Sequence, residues 1–379
     1  MKFLISGLGS IGRRHFRNLL ALGERDILLH RTHRATLPDD ELAGFPVETD
    51  LSAALAHRPD ALIVANPTAL HLDIAIPAAQ AGCHILMEKP ISHSLQGVDA
   101  LISALQHGGG QCLVGFQFRF HPGLRLVKDW LEAGLIGEPL SARAAWGEYL
   151  PGWHPWEDYT QGYAARPDLG GGVVLTLSHP LDYLRWLLGE VRDLWAYTSN
   201  RGLGMPVEDS AEIGLRFASG CLGSLHLDYN QRPPSHTLEI TGSHGRILWD
   251  NVDGLARLYR VEGANPPDAL PRSNDSNRST PGLTPQSPPR SNDFNRSTPR
   301  ITPQSPPRSN DFSRYNKWYT VTPPEGFERN WLFMDELRHF IAVMRGERQP
   351  QCTLHDGTQA LRLALAVLEA AERGKRITL

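Results

Sequence analysis

Two basic side chains stand where a proton and a developing negative charge can be handled. Lys89 closes the run Met87-Glu88-Lys89-Pro90 at the end of a short apolar stretch. An ammonium there hydrogen-bonds a substrate oxygen and stabilises charge that builds on it, and burial would lower its pKa enough for it to shuttle a proton. His179 follows Gly170-Gly171-Gly172 and the run Val173 to Ser178, with Asp182 three residues on. On a helix starting there both face one side, and an imidazole is a suitable base for a hydroxyl proton. Each of these alone has a commoner structural reading: a surface Lys-Pro turn, a packed histidine.

A third feature is Gly7-Leu8-Gly9-Ser10-Ile11-Gly12, a GxGxxG run between an apolar segment and a helical one. In that context the glycines allow a tight turn, close approach of a pyrophosphate and close helix–strand packing, while the helix N-terminus holds phosphate. The reading is a dinucleotide site on Gly7, Gly9, Ser10, Ile11 and Gly12. NAD readers usually carry an acid at the end of the second strand. Here the stretch reads His30-Arg31-Thr32-His33-Arg34, and Arg31, Thr32 and Arg34 suit a 2′-phosphate, so NADP is expected ahead of NAD. Asn66-Pro67-Thr68 with His71, and Glu88 with Lys89, end later strands and are expected to line the cofactor cleft. The alternatives for these are a turn, an N-cap and packing.

These residues need a scaffold. Apolar runs at Lys2–Ser6, Asp26–His30, Ala61–Ala65, His84–Met87 and Gln111–Gly115 alternate with helical patterns such as Gly12–Leu22 and Thr68–Ala81. That alternation predicts an α/β fold, with an N-terminal Rossmann domain, a doubly wound parallel sheet, over 1–120. After Phe120 the pattern changes. A helix at Pro122–Ala133 leads into strand-like runs at Leu140–Glu148, Asp193–Ser199, Ser210–Phe217, Cys221–Tyr229, His236–Thr241 and Gly245–Asp250, with a helix at His179–Leu188. Residues 121–379 are therefore expected to form an α+β domain with a large open, mostly antiparallel sheet. Within it, 271–311 repeats Pro-Arg-Ser-Asn-Asp with a period of 18 residues and almost no apolar positions, which reads as a disordered insertion. Helices are expected at 327–345 and 356–373.

The totals set limits. With 379 residues two domains are favoured, and the net charge of −3 gives no reason to expect nucleic acid or a membrane as partner. The four cysteines are far apart, without metal-ligand spacing, so no metal site is expected and free thiols in a cytoplasmic protein are. No apolar run approaches the ~18 residues needed to span a bilayer. Arg13-Arg14 follows the apolar start instead of preceding it, against an export signal.

In order and spacing, Gly7–Gly12, Asn66-Pro67-Thr68 with His71, Glu88-Lys89-Pro90, and the glycine-rich approach to His179 and Asp182 resemble the Gfo/Idh/MocA oxidoreductases. Val207-Glu208-Asp209-Ser210-Ala211 and the Asp356-Gly357 helix fit the same pattern. The resemblance implies hydride transfer between a nicotinamide and a hydroxyl or carbonyl of a sugar, sugar acid or polyol, with Lys89 and His179 catalytic. It also implies a homodimer or homotetramer packed through the second sheet. Many members carry an aspartate four residues before that histidine; here Leu175 stands there, and Asp182 is the candidate substitute. The segment Gly147 to Tyr159 looks like a branch linked to surface-sugar biosynthesis. There Trp153 and Tyr159 can stack on a sugar while His154 binds hydroxyls, and Arg119 and Arg166 can take a carboxylate or phosphate. Two rivals remain open at this level: a reductase of an imine or tetrapyrrole, and a dinucleotide sensor without turnover.

Overall fold

The structure is a computed structural model that describes residues 1–31, 37, 40–261 and 318–379. Thr32, Arg34 and the 271–311 repeat lie outside the described residues.

Phe3-Leu4-Ile5-Ser6 is apolar almost throughout because both faces of the strand it forms are covered. All four residues of β1 (Phe3–Ser6) are buried, as are those of β2 (Ile27–His30) and β4 (Ala61–Val64). With β3 (Val47–Glu48), β5 (His84–Glu88) and β6 (Cys112–Gly115) they make one six-stranded sheet in the order β3-β2-β1-β4-β5-β6. Every pairing is parallel. The order reverses between β1 and β4, so the loops after these strands open a crevice at the carboxyl edge. Helices α1 (Ser10–Ala21), α2 (Leu51–Ala56), α3 (His71–Gln80) and α4 (Val98–Gly108) supply the crossovers.

After α5 (Pro122–Glu132) the chain builds a second sheet from nine strands. They are β7 (Pro139–Tyr149), β8 (Val191–Ser199), β9 (Ser210–Phe217), β10 (Leu222–Asp228), β11 (Asn230–Gly242), β12 (Gly245–Asp250), β13 (Ala256–Arg260), β14 (Trp318–Val321) and β15 (Ile377–Thr378). The order is β14-β13-β12-β11-β7-β10-β9-β8-β15, antiparallel except for β7 with β10. Alternating burial in β12 shows one face on the core and one turned outward. A short helix α6 (Val173–Thr176) and α7 (His179–Leu188) cover the inner face.

The chain closes with α8 (Asn330–Met344) and α9 (Leu354–Arg373). Thr353 starts α9 with a capping box, its hydroxyl receiving Asp356 N–H while the Asp356 carboxylate receives Thr353 N–H. Just before it, Val114 N–H of β6 donates to Cys352 O at 3.0 Å, and Gly357 packs so tightly on Ile91 and Val114 that a Cβ there would fall 2.7 Å from Ile91. The end of the chain thus returns to the first sheet beside the crevice. The four cysteines are free and buried, and no described helix is long and apolar enough to cross a membrane.

Candidate active site

β1 ends at Ser6, and the backbone turns through Gly7 at φ +91° into α1. A Cβ on Gly7 would lie 2.6 Å from the Ala65 backbone, and one on Gly12 would lie 1.9 Å from Gly7 O. Both positions therefore exclude side chains by internal packing alone. At Gly9 a Cβ would meet nothing within 4 Å, so this glycine faces open space at the start of α1. No side chain caps α1 and no acid sits in its first turn. Its free N–H groups and dipole are left to attract an anion. Arg13, fully buried, braces the turn: Nε donates to Leu8 O at 3.0 Å and a terminal nitrogen to Glu41 at 2.9 Å. At the end of β2, Ser6 Oγ and His30 Nδ1 are 2.7 Å apart and Arg31 is buried.

Lys89 leaves the end of β5 and reaches the other part of the chain. Its Nζ donates to Thr176 O at 2.7 Å, three residues before His179. Burial, then the nearby Arg329 charge, pulls the Lys89 pKa below its ordinary value in spite of Glu88. His179 starts α7. Its ring stacks on Trp146 at 5.3 Å and meets Phe118 edge-on at 4.9 Å. Burial, then the Lys89 and His236 charges, holds its pKa well below that of a free imidazole. Lys89 and His179 thus sense each other electrostatically, and the imidazole is neutral where a base must be.

Several polar atoms at this edge are buried without a hydrogen-bond partner: Asn66 Oδ1 after β4, Gln117 Oε1 after β6, and Ser178 Oγ and His179 Nδ1 before and in α7. Each such orphan costs about 1–3 kcal/mol, and Asn66 and Gln117, on the loops after β4 and β6, stand at the carboxyl edge of the sheet, where a polar ligand would pair them. The glycine turn and this edge together fit a nicotinamide dinucleotide.

Other candidate residues are engaged within the protein. Asp182 and Arg119 are spent on each other, through Nε at 2.9 Å and a terminal nitrogen at 2.6 Å. Arg119 further donates to Gln351 O at 2.8 Å and faces Asp356 at 3.3 Å. Burial opposes its charge, yet Asp182 outweighs that and raises its pKa. Both side chains are buried, and both carboxylate oxygens of Asp182 are engaged by Arg119. The pair instead fastens the segment after β6 to α7 and α9. His71 does not line the cleft through its ring: Nδ1 faces Pro90 O at 2.9 Å and Nε2 faces Asn66 O at 3.0 Å. It clamps the two loops that carry Asn66 and Lys89. Glu88 is turned inward onto His15 Nε2 at 2.8 Å. Arg166 is exposed and forked onto Asp168. Thr68 is buried, and its methyl group would lie 3.2 Å from a Cβ on Gly170.

In the aromatic segment, Trp153 packs edge-on against Tyr229 at 5.7 Å with Nε1 unpartnered, and His154 Nδ1 is likewise buried without a partner against Trp156. Tyr159 is half-buried against the core. Leu175 lines a cleft of about 470 Å³ together with Glu208, Asn200 and Leu368. Trp146, His236 and His15 were invisible as site-forming residues in the sequence, since nothing in their spacing distinguishes them from core aromatics.

Comparison with known proteins follows the same division of the chain. Residues 1–116 match the oxidoreductase family with an NAD-binding Rossmann fold, and residues 124–248 match the GFO/IDH/MocA C-terminal domain. The chain is 30% identical over 213 residues to 1,5-anhydro-D-fructose reductase of Ensifer adhaerens, covering 54% of this chain and 62% of that protein. It is 30% identical over 272 residues to myo-inositol 2-dehydrogenase of Thermotoga maritima, covering 66% of this chain and 76% of that one. The first match thus spans about three fifths of the relative's length, the second about three quarters. The fold is that of the WlbA dehydrogenase of Bordetella pertussis solved with NADH and UDP-GlcNAcA, with a TM-score of 0.72 at 23% identity over 100% of this chain and 98% of that one. It is also that of levoglucosan dehydrogenase solved with NADH and levoglucosan, with a TM-score of 0.76 at 20% identity over 100% and 99%. By its two matched domains and its similarity to these dehydrogenases, the chain belongs to the Gfo/Idh/MocA family of oxidoreductases.

Proposed function

We propose that this protein interconverts a secondary hydroxyl and a carbonyl on a carbohydrate-like substrate, using a nicotinamide dinucleotide held on the glycine turn. The observation that carries the reading is the Lys89 Nζ bond to Thr176 O at 2.7 Å, which joins the end of β5 to the segment that delivers His179. One ammonium and one neutral imidazole then face a shared crevice. Gly9, Ser10 and Ile11 hold the phosphates by their backbone, and Asn66 with Gln117 offers unpaired oxygens to the amide or ribose. Bound there, the nicotinamide supplies the hydride acceptor or donor.

The chain's own groups handle the proton. Lys89 keeps two N–H directions beyond its Thr176 bond, and one of them holds the substrate oxygen. His179 takes the hydroxyl proton at Nε2, the ring nitrogen that is not sealed in the protein, and returns it in reduction. Phe116, Phe118 and Trp146 keep water from the imidazole and fix its plane. The half-buried aromatic segment of Trp153 and Tyr159 forms the sugar-facing wall, and His154 of the same segment binds a hydroxyl.

For the cofactor's 2′ position, the basic run from His30 to Arg34, with no acid in it, favours NADP over NAD. The outer face of the second sheet favours self-association: Trp195 lies over Gly214 and Tyr197 is 71% exposed, with Leu222 beside them at 55%. The test is a panel of polyols, anhydrosugars and sugar acids with NAD and NADP, followed by reduced-nicotinamide absorbance. Turnover of at least one carbohydrate, abolished in His179→Ala, supports the reading. Tight cofactor binding without turnover of any alcohol would place the chain among sensors.

A further inference from the structure

We infer that Arg14 and Arg329 form a second anion site, a diphosphate clamp between α1 and the start of α8. The two arginines come from distant parts of the chain: Arg14 from the second turn of α1, Arg329 from the residue that precedes α8. With Arg17, Asn18 and Asn330 they line a cavity of about 290 Å³ that, among the described residues, holds three guanidinium groups and no carboxylate. Arg17 is neutralised by Glu41 at 2.6 Å. Among the described residues, Arg14 and Arg329 have neither a hydrogen-bond nor an ion-pair partner. Arg14 is only propped over the Phe333 ring, 4.6 Å from its centroid. Asn18 and Asn330 bond to each other through their amides at 2.9 Å and fix the floor of the cavity.

Like charges gathered this way favour an anion between them, and Glu88 offsets the repulsion on Arg14 only in part. Arg329 is the second-largest influence after burial on Arg14, and it lowers the pKa of Lys89 and His179 as well. Next to Arg14 in the chain, His15 Nε2 meets Glu88, the residue before Lys89, at 2.8 Å, so α1 here packs against the end of β5. A guanidinium fork matches two oxygens of a phosphoryl group, so two forks suit a diphosphate. Two sources carry that chemistry: the pyrophosphate of the dinucleotide, and a nucleoside diphosphate on a sugar substrate. The cofactor arm rests on the function proposed above; the anion site itself does not.

The experiment uses the full chain and inorganic pyrophosphate, NADH and UDP as probes, titrated calorimetrically against wild type, Arg14→Gln, Arg329→Gln and, as a surface control, Arg166→Gln. Pyrophosphate binding that weakens about tenfold or more in the first two variants and not in the control establishes the clamp. If NADH affinity falls with it, the cofactor's pyrophosphate is the occupant. If NADH affinity holds and UDP binding to the NADH-saturated protein falls, the substrate's diphosphate is. Pyrophosphate, NADH and UDP affinities all within about twofold of wild type in both variants overturn the inference. A wild-type chain that binds pyrophosphate through these arginines but no NADH would overturn the cofactor reading and leave the clamp standing. Circular dichroism of each variant separates lost binding from lost folding.

Discussion

Asp182→Asn separates a catalytic role from a fastening one. The side chains of Arg119 and Asp182 are 4% and 2% exposed and are joined by two bonds of 2.6 and 2.9 Å. Removing one partner of such a buried pair costs about 3–5 kcal/mol, because the other charge is stranded. Arg119 retains Gln351 O at 2.8 Å and Asp356 at 3.3 Å, and asparagine keeps one acceptor oxygen. The loss is therefore set at the low end, about 3 kcal/mol. Urea denaturation followed by tryptophan fluorescence reads it as a shift of the midpoint at unchanged slope. Steady-state turnover, measured well below the onset of unfolding, should change little. Stability within about 1 kcal/mol of wild type together with a turnover loss of about a hundredfold, the size expected of a lost acid or base, would refute the fastening role.

Other outcomes follow from the same geometry. Gly9→Ala should melt like wild type and bind NADH about tenfold more weakly, since its Cβ meets only the space reserved for phosphate; Gly12→Ala should lose about 1–3 kcal/mol of stability by its 1.9 Å clash with Gly7 O. In the oxidative direction His179 must be neutral and Lys89 protonated. Both pKa values are depressed, first by burial, so the acid limb of the pH profile of kcat/KM should fall below pH 6.5 and the alkaline limb below pH 10.5. An acid limb above 6.5 would show that the imidazole is not the base. Leu175→Asp should not raise turnover: its carboxyl would enter the cleft beside Glu208, and thermal melting should show a loss of about 1–3 kcal/mol.

What the sequence disclosed divides by range. β1, β4 and β5 are legible because a strand buried on both faces is a short apolar run, and the glycine turn is legible because its constraints act within six residues. The outward-facing strands show as alternation, but that pattern does not say that β7 and β10 run parallel, nor that β14 and the two-residue β15 finish the edges. α8 begins at Asn330 instead of near 327, since Phe327 is held in a turn by Pro324 O. Long-range pairings are not legible in the sequence. Arg119 finds Asp182 across 63 positions and Glu88 finds His15 across 73, and no local spacing reports such a meeting. The position of His71 in the motif is visible in the sequence, while the two carbonyls that face its ring are not. Lys89 and His179 were singled out by motif, and the structure joins their segments through Thr176.

The most direct measurement is Lys89→Met, compared with wild type for NADH affinity by fluorescence titration and for turnover on whichever sugar the panel identifies. A lysine that holds the reacting oxygen predicts affinity within about threefold of wild type and turnover lower by about two to four orders of magnitude. Turnover that survives the substitution, or an equal collapse of cofactor binding, would contradict the account.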